Sequence, residues 1–491
     1  MSQKPKVIQV IGTSSSAGKS TITMALCRYF AGLGLKVAPF KAVNMSLNSV
    51  SIEGGFEIAR SQWLQAFAAR TEPVKEMNPF LLKPEGDATS QVIALGKSLG
   101  KMSHEVYGRF LSEHGKIIVR QSLEKLVSEY DIVVAEGAGS ASEINLYNMD
   151  LSNMYVSSIN STPALLVADI ERGGVFASIY GTVQLMEHPE LLKWFMINNM
   201  RGSTDILESG ISRMETLTGK KFIGVMPHIE FRLPGEDSLD YATERVKGAR
   251  ICVIKYPQME NYSDVDALYL SGIGVRFVSG PDRDALDHCK SIILPGSKNV
   301  ERDLTFLRET GLDTLILEQA DLGKKILGIC GGFQMLGNEI TDERHLQIQS
   351  GKTTGLGLLD CSTEYAGEKI VKPVKYLIRN EHVASRAEYH GYEIHYGRTH
   401  GSERTFAEIN GSAEGAISEN GRIIGTNIHG IMETPELLEY LTGVENKFNY
   451  KMELERNIDL FTKAFIEHVD LRSIKSTLLS VTTPRRKGLE P

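Results

Sequence analysis

The chain has 491 residues, of which 42% are hydrophobic, with 54 basic and 61 acidic side chains and a formal charge of −7. That length calls for two or three domains, each with its own core, and a mildly acidic balance without a long basic face excludes nucleic acid and anionic membrane as natural partners. No apolar stretch approaches the roughly 18 to 20 residues of a membrane span, and five scattered cysteines (Cys27, Cys252, Cys289, Cys330, Cys361) argue against a zinc site or a disulfide scaffold, so a reducing cytoplasm is expected.

The first element is a strand over Val7–Ile11, leading through Gly-Thr-Ser-Ser-Ser-Ala into Gly18-Lys-Ser-Thr21. A strand, a glycine-bearing turn and a helix start make a phosphate-binding loop: backbone N–H groups and a lysine face the phosphates, and a hydroxyl faces Mg²⁺. Gly12, Thr13, Gly18, Lys19, Ser20 and Thr21 are therefore the expected nucleotide residues, with Ser20 or Thr21 as the metal-side hydroxyl. The spacing departs from the strict loop motif, because Gly12 stands one residue early and Thr13 occupies the usual first-glycine position.

Apolar runs at Lys36–Phe40, Asp131–Ala135, Pro163–Ala168 and Phe222–Met226 alternate with helical patterns, which predicts a parallel sheet covered by helices. Glu136, closing the second of these strands, is expected to help hold Mg²⁺, and Asp169, closing the third, is a second candidate. A boundary near residue 245 divides this unit (1–245) from a second α/β unit (246–445), whose strands begin at Arg250–Ile254, Ser291–Pro295, Lys325–Ile329 and Ile423–Ile428. A helical extension and a short basic tail, Pro484–Lys487, follow over 446–491.

In the second unit Cys330 falls in a glycine-flanked turn between an apolar strand and a helix, where a helix N-terminus favours the thiolate. His429, just past another strand, would share the same sheet edge and serve as its general base.

The loop resembles that of dethiobiotin synthetase and its relatives, with Ser14 standing where deviant partitioning ATPases place an extra lysine. The second unit resembles the class I glutamine amidotransferase domain, in which such a cysteine attacks glutamine and releases ammonia. That resemblance implies an oxyanion site at Leu294-Pro-Gly-Ser-Lys298 and Gly331, drawing on Gly296 and Ser297, with Gln334 in glutamine recognition. Many members carry an acid two residues after the histidine; here that position is Ile431, and the first nearby acid is Glu433. A backbone carbonyl or another acid is left to orient His429.

The two units together resemble the cobyrinate amidase group. Pro39-Phe-Lys-Ala-Val-Asn-Met-Ser-Leu-Asn-Ser49, Asn78–Pro84, Glu136–Ser140, Glu143–Leu146, Arg172–Ala177 and Gly391–His395 match it in order, while Val43, Glu171 and Asn199 depart from it. The implied architecture is two doubly wound parallel-sheet α/β domains: an N-terminal P-loop NTPase-like amidoligase and a C-terminal flavodoxin-like class I glutamine amidotransferase. The implied reaction is ATP-dependent amidation of the b, d, e and g carboxylates of adenosylcobyrinic acid a,c-diamide, with glutamine as ammonia donor and ATP and Mg²⁺ as cofactors. Lys41 would meet a substrate carboxylate or the acyl phosphate, and Asn44, Ser46 and Asn48 would hydrogen-bond the acceptor. A nucleotide-dependent switch carrying a degenerate glutaminase-like module is the rival from another class.

Overall fold

The computed structural model of the chain describes residues 6–86, 88–147, 149–234 and 250–479. Six parallel strands form the N-terminal sheet in the order Lys221–Pro227, Leu192–Met200, Ala164–Asp169, Val7–Gly12, Ile132–Glu136, Val37–Phe40. Every residue of Val7–Gly12 and Ile132–Glu136 is buried, as the continuous Val/Ile runs of a sheet covered on both faces require. Because these two strands pair directly, the turn after Gly12 and the carboxylate of Glu136 come to one sheet edge.

The second sheet runs Val275–Val278, Ile251–Ile254, Ser291–Leu294, Lys325–Ile329, Ile423–Thr426, a 2-1-3-4-5 order, with the short Ala416–Ile417 antiparallel at its end. That is the flavodoxin-like order, and its crevice lies at the strands' carboxyl ends beside the first and third strands.

Two additions were not read from the sequence, one a mixed sheet in which Val43–Met45 runs parallel to Phe80–Gly86, the other antiparallel. A four-stranded sheet (Val43–Met45, Phe80–Gly86, Thr89–Ala94, Lys97–Ser103) is inserted in the first unit, and a long ribbon, Cys361–Ile378 with Tyr389–Gly401, in the second. Cys252 and Cys289 are bonded to each other, Cα atoms 5.9 Å apart, although the wide spacing of the cysteines argued for thiols throughout. Their strand and helix end are brought side by side by the fold, which linear spacing does not reveal.

The expected boundary near 245 and the basic tail Pro484–Lys487 lie outside the described residues. The helix Tyr450–His468 packs on Ser263–Leu270 of the second unit and on the helix Lys19–Gly32 of the first, where the guanidinium of Arg28 pairs with Glu455, and the indole of Trp194 donates to Ser473 Oγ at 2.9 Å. Charged pairs join the units further. Lys298 meets Glu85 at 3.1 Å, Lys83 of the first unit pairs with Glu260 of the second as well as with its own unit's Glu57 at 2.7 Å, and Lys369 meets Glu57 at 2.8 Å. These ammonium and carboxylate groups are almost wholly buried, so each depends on its opposite charge.

Candidate active sites

Gly18 begins the helix Lys19–Gly32 from a left-handed backbone (φ 99°), a conformation that only glycine adopts without strain. Lys19 curls back over the loop, its ammonium donating to the carbonyls of Ser14 and Gly139 at 2.8 Å each. Ser20 Oγ donates to Glu136 Oε1 at 2.7 Å, whereas Thr21 Oγ1 turns to the carbonyl of Gly18 at 2.9 Å. Of the two hydroxyls, then, Ser20 is the one that shares a site with the acid. Lys41 Nζ stands 2.8 Å from the same Glu136 oxygen, and the amide of Gln65 donates to the other.

Gly18, Lys19, Ser20, Thr21, Lys41 and Glu136 all face a cavity of about 1150 Å³. Gly12 and Thr13 are not on its wall; a Cβ at Gly12 would stand 3.0 Å from the Lys19 side chain, which places that glycine beneath the lysine. Asp169 is also off the wall, and accepts from the backbone N–H of Glu171 at 2.8 Å and from the amide of Asn199. It caps a turn instead of facing the phosphate loop.

The four expected acceptor residues separate. Lys41 and Asn44 face the cavity, but the Asn44 amide donates to Ser61 Oγ (2.9 Å) and Gln62 Oε1 (2.8 Å). Ser46 and Asn48 are buried away from the wall, and Ser46 Oγ accepts from the backbone N–H of Asn48 at 3.0 Å.

At the second site Cys330 occupies φ 53°, ψ −110°, a strained backbone for a residue with a side chain. The neighbouring glycines are required by contact: a Cβ on Gly332 would lie 1.9 Å from the carbonyl oxygen of Leu294, and one on Gly331 2.6 Å from the Ser297 nitrogen. The turn is thereby pressed against the Pro295-Gly-Ser297 loop, and Gly296 in turn abuts the Glu260 carbonyl and the His429 ring. Gln334 is buried and held by Tyr365, whose hydroxyl donates to its Oε1 at 2.5 Å.

His429 is fully buried, stacked on Tyr392 with ring centroids 5.1 Å apart. Its Nδ1 lies 3.2 Å from Asp264 Oδ2, while Asp264 Oδ1 accepts from the backbone N–H of Gly430 at 2.9 Å. Burial pulls the imidazole pKa down, but the Asp264 hydrogen bond and the neighbouring Cys330 outweigh it and push it up to about 10. The acid left open by Ile431 is therefore met by Asp264, which lies 165 positions before the histidine. Glu433 makes no contact with the ring; burial raises its carboxyl to about 7, partly offset by Arg60. Only the acidic first turn of the helix Ser263–Leu270, directly after the first strand's crevice, signals Asp264 in sequence.

The helix Arg60–Ala68 faces the phosphate-loop cavity with Arg60, Ser61, Leu64 and Gln65. Gln65 near its end touches Glu136, while Arg60 at its start donates to the Tyr450 hydroxyl and lies over the Trp63 ring, 4.1 Å from its centroid.

A phosphate-loop unit joined to an α/β unit with a Cys–His–Asp arrangement defines the class of glutamine-dependent carbon–nitrogen ligases. Residues 8–237 match the family model for the CobQ/CobB/MinD/ParA nucleotide binding domain, and residues 250–437 that for the CobB/CobQ-like glutamine amidotransferase domain. A protein of Thermoplasma acidophilum named probable cobyric acid synthase is 49% identical over 95% of this chain and 98% of its own. Cobyric acid synthases of Pelotomaculum thermopropionicum (39%, covering 98% of each chain) and Vibrio vulnificus (40%, covering 96% of this chain and 99% of its own) align equally far. The chain belongs to the cobyric acid synthase family, and is a glutamine-dependent amidoligase of cobalamin biosynthesis. No helix among the described residues is long and apolar enough to cross a membrane.

Proposed function

We propose that the chain converts adenosylcobyrinic acid a,c-diamide into adenosylcobyric acid by amidating the b, d, e and g carboxylates, in the cytoplasm, where a free thiol persists. Residues 1–245 form the ATP-dependent amidoligase, 246–445 the glutaminase, and 446–491 an extension. The observation that carries this reading is the pairing of the Ser20–Glu136 oxygens on one cavity wall with the Asp264–His429–Cys330 arrangement in the same chain.

In the first unit a substrate carboxylate attacks the γ-phosphorus of ATP, ADP leaves, and an acyl phosphate forms. Gly18, Lys19, Ser20 and Thr21 bind the nucleotide phosphates, with Gly12 and Thr13 supporting the loop from below. Lys41 adds positive charge where the acyl phosphate forms, and Asn44 lies at the same wall. Ser20 and Glu136 present two oxygens of the kind a small hard cation takes beside substrate phosphates, and would hold Mg²⁺. Bound there, Mg²⁺ neutralises phosphate charge.

In the second unit Cys330 Sγ attacks the glutamine side-chain carbonyl, His429 passes a proton to the departing ammonia, and water then releases glutamate from the thioester. Backbone N–H groups of Gly331 and of the Gly296–Ser297 loop face the oxyanion, and Gln334 binds the substrate amide. Ammonia displaces phosphate from the acyl phosphate to leave the amide.

Product mass after incubation with the a,c-diamide, ATP, Mg²⁺ and glutamine tests the reading. Each carboxylate-to-amide conversion lowers the mass by about one dalton, and the series should end at four. No change with this acceptor, but a change with cobyrinic acid, would move the assignment to the a,c-diamide synthase branch.

Asp264→Asn removes the acceptor that holds the imidazole. We expect glutamine-dependent turnover to fall by roughly 10²-fold or more, and the His429 pKa to drop from about 10 towards its ordinary 6.5. The sign follows from linkage: a raised histidine pKa stabilises the fold fully below pH 6.5, and that contribution is lost as pH rises towards 10. Imidazole titration by NMR, compared with the unsubstituted protein, reads the shift; an unchanged His429 titration would remove Asp264 from this role.

A further inference from the structure

One face of the inserted four-stranded sheet forms a wall of the phosphate-loop cavity. In its register Met45 stands beside Leu82, and Pro84, Ser90 and Met102 stand in a row across three strands. Leu82 and Pro84 are two residues apart and share that face, and all five residues line the cavity. Met149 reaches the same space from the loop after Glu136, its Cε 3.2 Å from where a Cβ on Gly108 would sit. Met45 is 60% exposed and Leu146, also on the wall, 40% exposed, although both are large and apolar.

This arrangement answers a demand peculiar to the reaction. One phosphate loop must reach four carboxylates on the rim of a single macrocycle, so the ring must be seated in several orientations. Hydrogen bonds aimed at the ring in one orientation would be left unpaired in the others, and each buried group so left weakens that seating. A wall that grips by dispersion does not carry that penalty. Methionine suits it, because an unbranched, polarisable side chain with three rotatable bonds reshapes itself around different contours. Asn44, a polar group on the same wall, already spends its amide on Ser61 and Gln62.

We propose that Met45, Met102 and Met149 form an adaptable wall on which the corrin ring of the acceptor is seated anew for each amidation, and that their flexibility determines how far the amidation series runs. The inference rests on the cobyric acid synthase reading. It makes the three methionines specificity-determining residues for the later steps, where the ring carries more amides and fewer carboxylates.

The test replaces the three methionines by isoleucine, singly and together, using full-length protein with the a,c-diamide, ATP, Mg²⁺ and ammonia. Isoleucine has similar size, suits the two strand positions and removes side-chain freedom. Product masses at successive times give a rate for each step. The ratio of the last-step to the first-step rate is expected to fall about tenfold or more, with partly amidated corrinoids accumulating. The matching leucine variants, which keep an unbranched Cβ, are expected to recover most of that ratio. A wall with a merely structural part would slow all four steps alike, so an unchanged ratio in the isoleucine variants overturns the proposal. If the unsubstituted protein amidates nothing on this acceptor, the underlying reading fails instead, and the two failures are told apart by that control.

Discussion

Cys330→Ala is expected to abolish amidation driven by glutamine while amidation driven by added ammonia continues. In the proposed reaction the thiol is the group that forms the thioester, and alanine leaves nothing to take its place. The loss should exceed roughly 10³-fold, because members of a nucleophile–base pair act as one unit and a single deletion removes most of their joint effect. Ammonia bypasses the step. In the proposed reaction the acyl phosphate forms at the other cavity, whose Lys19, Ser20 and Glu136 belong to the opposite unit. Sγ meets the His429 imidazole and makes a long 3.5 Å contact with the Ile394 carbonyl, so alanine removes the nucleophile and its link to the base without deleting a large buried group. Rates with the two nitrogen sources, measured on the same preparation, decide the matter. Equal losses would mean that the thiol serves the acyl-phosphate site as well, and the division of labour between the units would be wrong.

What could be read in the sequence follows a physical rule. The phosphate loop, the strand-end Glu136, the Cys330 turn and His429 are each announced by a contiguous strand-to-turn pattern, because a parallel sheet delivers its functional groups at strand ends. Asp264 was not announced. It reaches His429 through the fold, from the first helix of the second unit, and no spacing rule joins positions 264 and 429. The same holds for Gln65 on Glu136 and Tyr365 on Gln334, and for the Cys252–Cys289 bond. Ser46 and Asn48 show the opposite failure. A polar run following Lys41 resembles a binding loop, yet Ser46 and Asn48 fold into a buried turn in which Ser46 Oγ accepts from the Asn48 backbone N–H. Glu433, nearest in sequence to the histidine, is held apart from it because the chain turns through Gly430 at φ 83°.

Lys19→Ala should remove amidation from both nitrogen sources, the outcome that separates this variant from Cys330→Ala. A phosphoryl group in transfer spreads negative charge over its oxygens, and a lysine ammonium at the loop is a fixed counter-charge in a partly dry cavity. Losing one such donor costs about 10²–10³ in rate, and more where the bound nucleotide is also weakened. In this chain the ammonium has a second task, since it bridges the carbonyls of Ser14 and Gly139 across the loop. Gly139 and Lys19 line the open cavity, so water can replace the ammonium and the fold should survive. The distinction is measurable. Alkylation of Cys330 by a glutamine-like chloroketone would report an intact second unit, while nucleotide binding and ammonia-dependent amidation report the first. Retained amidation with ammonia in Lys19→Ala would show that Lys41, 2.8 Å from Glu136, carries the charge that the loop lysine is assigned here.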